Sequence, residues 1–189
     1  MSASASIPQV QHFVQRTLML LSTQQDETVF LPKVAGFMRD LVASDDWLPA
    51  LYTRPHPQFY QQYPLYEDEQ DRLSVVSFVW GPGQATPIHD HTVWGVIGML
   101  RGAELGQRYT VGADGKPVVQ GEEHRLTPGQ VESVSPDIGD VHRVRNAYAD
   151  RVSISIHAYG GNIGKIRRHV YLPGGERKEF VSGYSSPDA

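Results

Sequence analysis

The sequence predicts a mainly β fold, a sandwich or small barrel, preceded by a helical segment. Three observations predict it. Apolar side chains recur at helical spacing over the first 50 residues, short β-branched runs begin near residue 72, and no helical stretch separates those runs. The 189 residues are read as one domain, with N-terminal helices in 1–50, a barrel core in 72–160 and a C-terminal wrap over 172–189.

The elements follow in order. In residues 8–22, Val10, Phe13, Val14, Met19 and Leu21 fall at roughly helical spacing, and Pro8 suits a first turn. In residues 26–43, Val29, Leu31, Val34, Phe37, Met38 and Leu41 predict a second amphipathic helix, in which Pro32 must either lie in the first turn or break the helix. From residue 72 the runs LSVVSFVW, VWGVIGML, AELGQRYT and RVSISIHAY read as strands, and Asp114-Gly115 reads as a hairpin turn. Residues 172–189 are rich in Gly, Ser and Pro, which predicts a loosely ordered surface wrap.

Composition narrows the function classes. A net charge of −4 offers no clustered basic surface, so nucleic acid is not expected as a partner. No run approaches the roughly 20 apolar residues of a membrane span, and the first residues lack the basic start of a signal peptide. A cytoplasmic location is the expectation. The chain contains no cysteine, so any metal must be held by His, Asp or Glu.

His89 and His91 are one residue apart. On a strand both rings would project to one face, with Cα atoms about 6.5–7 Å apart, close enough to share an ion. Alone, such a pair could equally lie on a polar strand face. Its surroundings are more specific: Gly83 precedes His89 by five intervening residues, and Gly95 and Gly102 follow. Fifty residues on, Gly139-Asp140-Val141-His142 continues to Asn146. These two stretches resemble the paired motifs of the cupin superfamily, jelly-roll-like barrels of the double-stranded β-helix type that hold a metal with histidines from both motifs. By that resemblance His89, His91 and His142 are the metal ligands. Two departures stand out: Gly95 occupies the place of the usual glutamate, and Pro136 precedes Gly139 by three positions rather than two.

Three neutral imidazoles without a carboxylate leave a divalent metal with its full charge, which favours an anionic ligand such as a thiolate. A cupin with this ligand set resembles the thiol dioxygenases of the cysteine dioxygenase family, which implies Fe(2+), dioxygen and a small thiol carboxylate as cofactor and partners, with a sulfinic acid as product. The resemblance extends to Ser155, His157 and Tyr159, which alternate with Ile154, Ile156 and Ala158 and so share one strand face. In the family Tyr159 would present its hydroxyl to the metal-bound ligands, and His157 and Ser155 would orient it. Mammalian-type members crosslink that tyrosine to a cysteine at the place of Gly95. A chain without cysteine resembles instead the bacterial branch that prefers 3-mercaptopropionate.

The same resemblance names Arg168 as the group that holds the substrate carboxylate, with Arg167 as the neighbouring alternative, and Gln62 as a substrate-side residue, with Gln61 adjacent and a loop placement open for both. Trp80 and Trp94 flank the metal segment as pocket walls or core. His12, His56, His124 and His169 lack partners at ligand spacing and carry no assigned role. The expected function is thus an iron-dependent thiol dioxygenase acting on 3-mercaptopropionate. The alternatives are a dioxygenase with cysteine as main substrate and a non-enzymatic metal-binding cupin.

Overall fold

In a computed structural model, described here for residues 6–187, the chain forms two helices, a 3-10 turn and ten strands. The helices are α1 (Pro8–Thr23) and α2 (Glu27–Leu41), and the turn is Ala50–Thr53. The strands are β1 (Gln61–Glu67), β2 (Ser74–Trp80), β3 (Gly95–Arg101), β4 (Glu104–Val111), β5 (Pro117–Leu126), β6 (Val131–Val134), β7 (His142–Asn146), β8 (Ser153–Tyr159), β9 (Arg168–Tyr171) and β10 (Arg177–Phe180). Residues 1–5 and 188–189, the outer ends of the predicted helical segment and wrap, lie outside the described residues.

One sheet runs β1-β2-β8-β3-β6 and a second runs β5-β4-β7, while β9 and β10 form a hairpin. All pairings are antiparallel. The two larger sheets enclose an interior and build the cupin barrel anticipated from the motifs, mainly β with an N-terminal helical segment. Side chains of β8 and β4 meet across that interior, where Ser155 donates to Glu104.

The helices cover the outer face of the five-stranded sheet. Phe30, Val34 and Met38 of α2 join Val75, Val79, Val96, Ile154 and Ile156 in one buried apolar cluster. Ile154 and Ile156 are fully buried, and each such side chain contributes about 1.5–3 kcal/mol by leaving water. Gly98 sets the approach: a Cβ there would lie 2.7 Å from Met38 Cγ, so glycine lets α2 settle directly on β3.

Several expectations need correction. Pro32 neither starts nor breaks α2 but lies inside it, in the second turn. Its missing N–H removes a single helical hydrogen bond. The Asp26 cap, which accepts from Thr28 N–H at 2.9 Å, and the buried face formed by Phe30, Leu31, Val34, Met38 and Leu41 hold the helix together. Met19 and Val29, read as members of the apolar faces, are exposed; α1 buries Val10, Phe13, Val14 and Thr17 instead. The loosely ordered wrap is better described as a pinned one. Its first part pairs as β10 on β9, Ser185 N–H donates to Gln62 O at 2.9 Å, and Tyr184 donates its hydroxyl to Asn162 at 2.7 Å.

Candidate metal centre

The barrel interior brings three imidazoles together from two distant parts of the chain. His142 opens β7, while His89 and His91 lie in the segment that joins β2 to β3. That segment is not the regular strand expected from the sequence. His89 instead makes isolated bridges to His142 and Val170, and the backbone N–H of His89 and of His142 each donate to the other's carbonyl at 3.0 Å. The alternation expected of a strand survives locally. Asp90 points away from the cluster and accepts from His169 N–H at 2.8 Å and from Tyr171 O–H at 2.8 Å.

Each ring is oriented by a named partner or by burial. His89 Nδ1 lies 3.0 Å from Pro87 O, a carbonyl that can only accept, so Nδ1 carries the proton and Nε2 keeps its lone pair. His91 Nδ1 lies 2.8 Å from Asp140 Oδ1, and the backbone N–H groups of His91 and Thr92 donate to the same carboxylate. Asp140 therefore fixes both the ring and the backbone beside it. The ring centroids stand 4.9, 4.9 and 4.8 Å apart, a nearly equilateral arrangement.

Burial, reinforced by His91, pushes His89 down to about 3, and burial with the neighbouring histidines lowers His142 well below the ordinary imidazole range. Neutral imidazole is the form that ligates. One potential ligand atom from each ring lies within 4.8 Å of those of the others. His142 Nδ1 is buried without a protein hydrogen-bond partner. This donor set fits a divalent first-row transition metal. Among the described residues no Asp or Glu joins the three histidines.

Gly95 explains the missing acid. It pairs directly with Tyr159 across β3 and β8, and a Cβ on it would lie 3.0 Å from the tyrosine ring and 3.1 Å from Val134. The ring of Tyr159 takes the space, stacking against His91 at 5.5 Å. Ser155, His157 and Tyr159 share the inward face of β8 and form one hydrogen-bonded chain, 2.8 Å from Ser155 Oγ to His157 Nε2 and 2.8 Å from His157 Nδ1 to Tyr159 Oη. Burial raises the Tyr159 phenol above its ordinary range, against the opposing pull of Arg168, so the tyrosine keeps its proton at neutral pH.

The substrate-side candidates separate cleanly. Arg168 opens β9 and is 4% exposed, whereas Arg167 forms a surface pair with Glu179 at 3.3 Å. The Arg168 guanidinium donates to Ser182 at 2.7 Å and lies over the Phe180 ring, yet its Nε is buried without a partner. Among the described residues no carboxylate pairs with it at salt-bridge distance, although its charge acts on His89, Tyr60 and Tyr159. Gln62 lies on strand β1 rather than a loop. It pairs with Phe78, so the two share a face, and the Phe78 ring stacks on His157 at 4.0 Å.

Trp80 walls the interior, donating from Nε1 to Ser155 Oγ at 3.1 Å. Trp94 packs outward against Phe30 of α2. His124 and His169 are held by Glu132 and Asp90 and stay outside the cluster. Sequence reasoning missed Asp140 and Glu104. Asp140 was visible as the acid two residues before the third histidine. Glu104 carried no such signal: it is the buried first residue of a strand whose other residues, apart from Gly106, are half-buried or exposed.

The model of the cysteine dioxygenase type I family matches residues 9–170. This chain belongs to that family. Among solved structures it is similar to an uncharacterized conserved protein with a double-stranded β-helix domain from Klebsiella pneumoniae, at 20% identity over 66% of this chain and 96% of that one, with a TM-score of 0.47. It is also similar to a cupin superfamily protein from Desulfitobacterium hafniense, at 11% identity over 61% and 90%, with a TM-score of 0.46. A third is a protein from Thermus thermophilus, TT1209, at 22% identity over 58% and 90%, with a TM-score of 0.43. Among the described residues no helix of this family member is long and apolar enough to cross a membrane.

Proposed function

We propose that this chain is a non-haem iron(II) thiol dioxygenase that adds both atoms of dioxygen to the sulfur of a small thiol carboxylate, with 3-mercaptopropionate as its main substrate. The observation that carries the reading is a buried cluster of three imidazoles, joined by no Asp or Glu as a fourth ligand among the described residues, beside a buried guanidinium whose Nε lacks a partner. Such a site has a place for a metal and a place for an anion. Membership of the cysteine dioxygenase type I family supports the chemistry.

His89, His91 and His142 would hold the iron, which when bound supplies a Lewis acid for a thiolate and a redox route to dioxygen. Arg168 would bind the substrate carboxylate, because an unpaired buried cation gains most from a desolvated anion. Gln62, on the face shared with Phe78, would line the substrate's other side. Tyr159 would donate its hydroxyl to the reacting ligands, oriented by His157 and Ser155. Overall R–SH and O2 become R–SO2H: the O–O bond breaks, two S–O bonds form, and sulfur supplies the electrons that reduce oxygen.

A second reading, with cysteine as the main substrate, is favoured by the description of the matching family. Anaerobic loading with ferrous iron, followed by oxygen uptake across concentration series of both thiols, separates them. We expect uptake matched by sulfinate, with the higher kcat/KM for 3-mercaptopropionate. A higher value for cysteine would move the specificity, and stoichiometric iron without uptake would overturn the reading in favour of a non-enzymatic metal-binding cupin.

A further inference from the structure

The hydrogen-bonded chain on β8 does not end at Ser155. Ser155 Oγ lies 2.9 Å from Glu104 Oε2, so four side chains run in line from the barrel wall to the metal pocket: Glu104, Ser155, His157 and Tyr159. Glu104 is 3% exposed, and among the described residues no cation pairs with it. The groups facing it are Ser155, with His157 and Tyr159 behind it, from β8; Trp80 from β2; Glu132 from β6; and Asn146 and Leu126, its cross-strand partners on β7 and β5. Glu132 is itself paired with Arg108 at 2.8 Å and His124 at 2.7 Å.

We propose that Glu104 is a positioning residue for Tyr159: the proton on its carboxyl sets the direction of the whole chain, and with it whether Tyr159 donates or accepts in the metal pocket. Trp80 Nε1–H can only donate, and it donates to Ser155 Oγ at 3.1 Å. With Glu104 ionised, Ser155 O–H donates to Glu104, His157 Nε2–H donates to Ser155, and Tyr159 O–H donates to His157 Nδ1. The tyrosine then offers the pocket only lone pairs. With Glu104 protonated, every bond reverses. Glu104 donates to Ser155, Ser155 to His157 Nε2, and His157 Nδ1–H to Tyr159, whose own O–H is released toward the pocket. In both states His157 is neutral, in keeping with a pKa that burial and the nearby histidines hold well below the ordinary range. Burial raises the Glu104 carboxyl to about 7, with Glu132 adding to the rise and the bonds from Ser155 and Trp80 opposing it.

The two states differ by one proton. Passing from the ionised to the protonated state can proceed from the pocket end. Tyr159 Oη takes a proton there and gives its own to His157 Nδ1, His157 Nε2 gives its proton to Ser155, and Ser155 gives its proton to Glu104. A thiol that binds as thiolate releases such a proton. Its S–H bond breaks, an O–H bond forms on Glu104, and Tyr159 is left as a donor to the new thiolate. This link to the thiol rests on the function proposed above; the link between Glu104 and His157 does not.

The test uses the metal-free full chain and long-range 1H–15N spectra of its imidazoles between about pH 5.5 and 8.5, with His157 assigned from its absence in His157→Gln. We expect the His157 proton to lie on Nδ1 at low pH and on Nε2 at high pH, with a midpoint shared by the Glu104 side-chain 13C resonance. Glu104→Gln should remove that midpoint. A single His157 tautomer across the range, or a midpoint that does not follow Glu104, would overturn the proposal, and the wild-type titration decides this even if the variant does not fold. Coupled titration without oxygen uptake would sink the dioxygenase reading alone. Uptake without coupling would sink this inference alone.

Discussion

Strand β8 has two faces, and they are built on opposite principles. Ile154, Ile156 and Ala158 look outward into the apolar cluster under the helices and are held by burial alone. Ser155, His157 and Tyr159, interleaved with them, are just as buried, yet each is held by a directed hydrogen bond. A hydrophobic face tolerates shape changes that keep its volume, because dispersion and desolvation have no direction. A buried polar face tolerates almost none, because removing one partner leaves the next unsatisfied. Six of the strand's seven residues, Ile154 to Tyr159, therefore divide labour by parity: one set holds the barrel to its helices, and the other serves the pocket.

The widest break in that comparison should come from His142→Ala. We expect loss of bound iron, read by metal analysis, and oxygen uptake reduced to background, with the metal-free protein still folding cooperatively in a denaturant titration. Ile156→Ala should do the reverse. It should cost about 2–5 kcal/mol in unfolding free energy through the cavity it leaves, with kcat per folded molecule preserved. A parallel loss of kcat would show that the outer face also sets pocket geometry. Tyr159→Phe should lower kcat by about 10²-fold while iron content stays near wild type. Iron loss in that variant would make Tyr159 part of the metal's support rather than its chemistry. Arg168→Ala gives the smallest effect, raising KM for thiol carboxylates about 10-fold. A thiol without a carboxylate should show the same KM in both proteins, and an equal rise for it would assign Arg168 to packing.

The same parity explains what could be read in advance. The period-2 pattern of β8 fixed both faces, because alternation is a local property of the residues. The histidines were legible through motif spacing, although the local structure that presents His89 and His91 is a bridged loop rather than a strand. Strand β1 was not legible, since Pro64 argues against a strand. It is tolerated because β1 lies at the edge of its sheet. Glu104 was invisible for a different reason: its meaning depends on Ser155, which is 51 residues away and reaches it only when the two sheets close. The composition of residues 172–189 predicted looseness, whereas within the described part Ser182 and Ser185 use their short hydroxyls to pin that segment to Arg168 and Gln62.

The exchange of backbone bonds between His89 and His142, with further bonds from Thr86 to Val144 and from Asn146 to Gln84, ties the segment after β2 to the strand β7. Because the ligands come from both sides of that tie, the unfolded chain cannot present them together, and any ion they hold shifts the folding equilibrium by mass action. A free ion at 100 times its dissociation constant would add about 2.7 kcal/mol to the folded state. Melting curves recorded against a series of divalent ions would then rank their affinities as a set of temperatures, with no substrate, oxygen or turnover required.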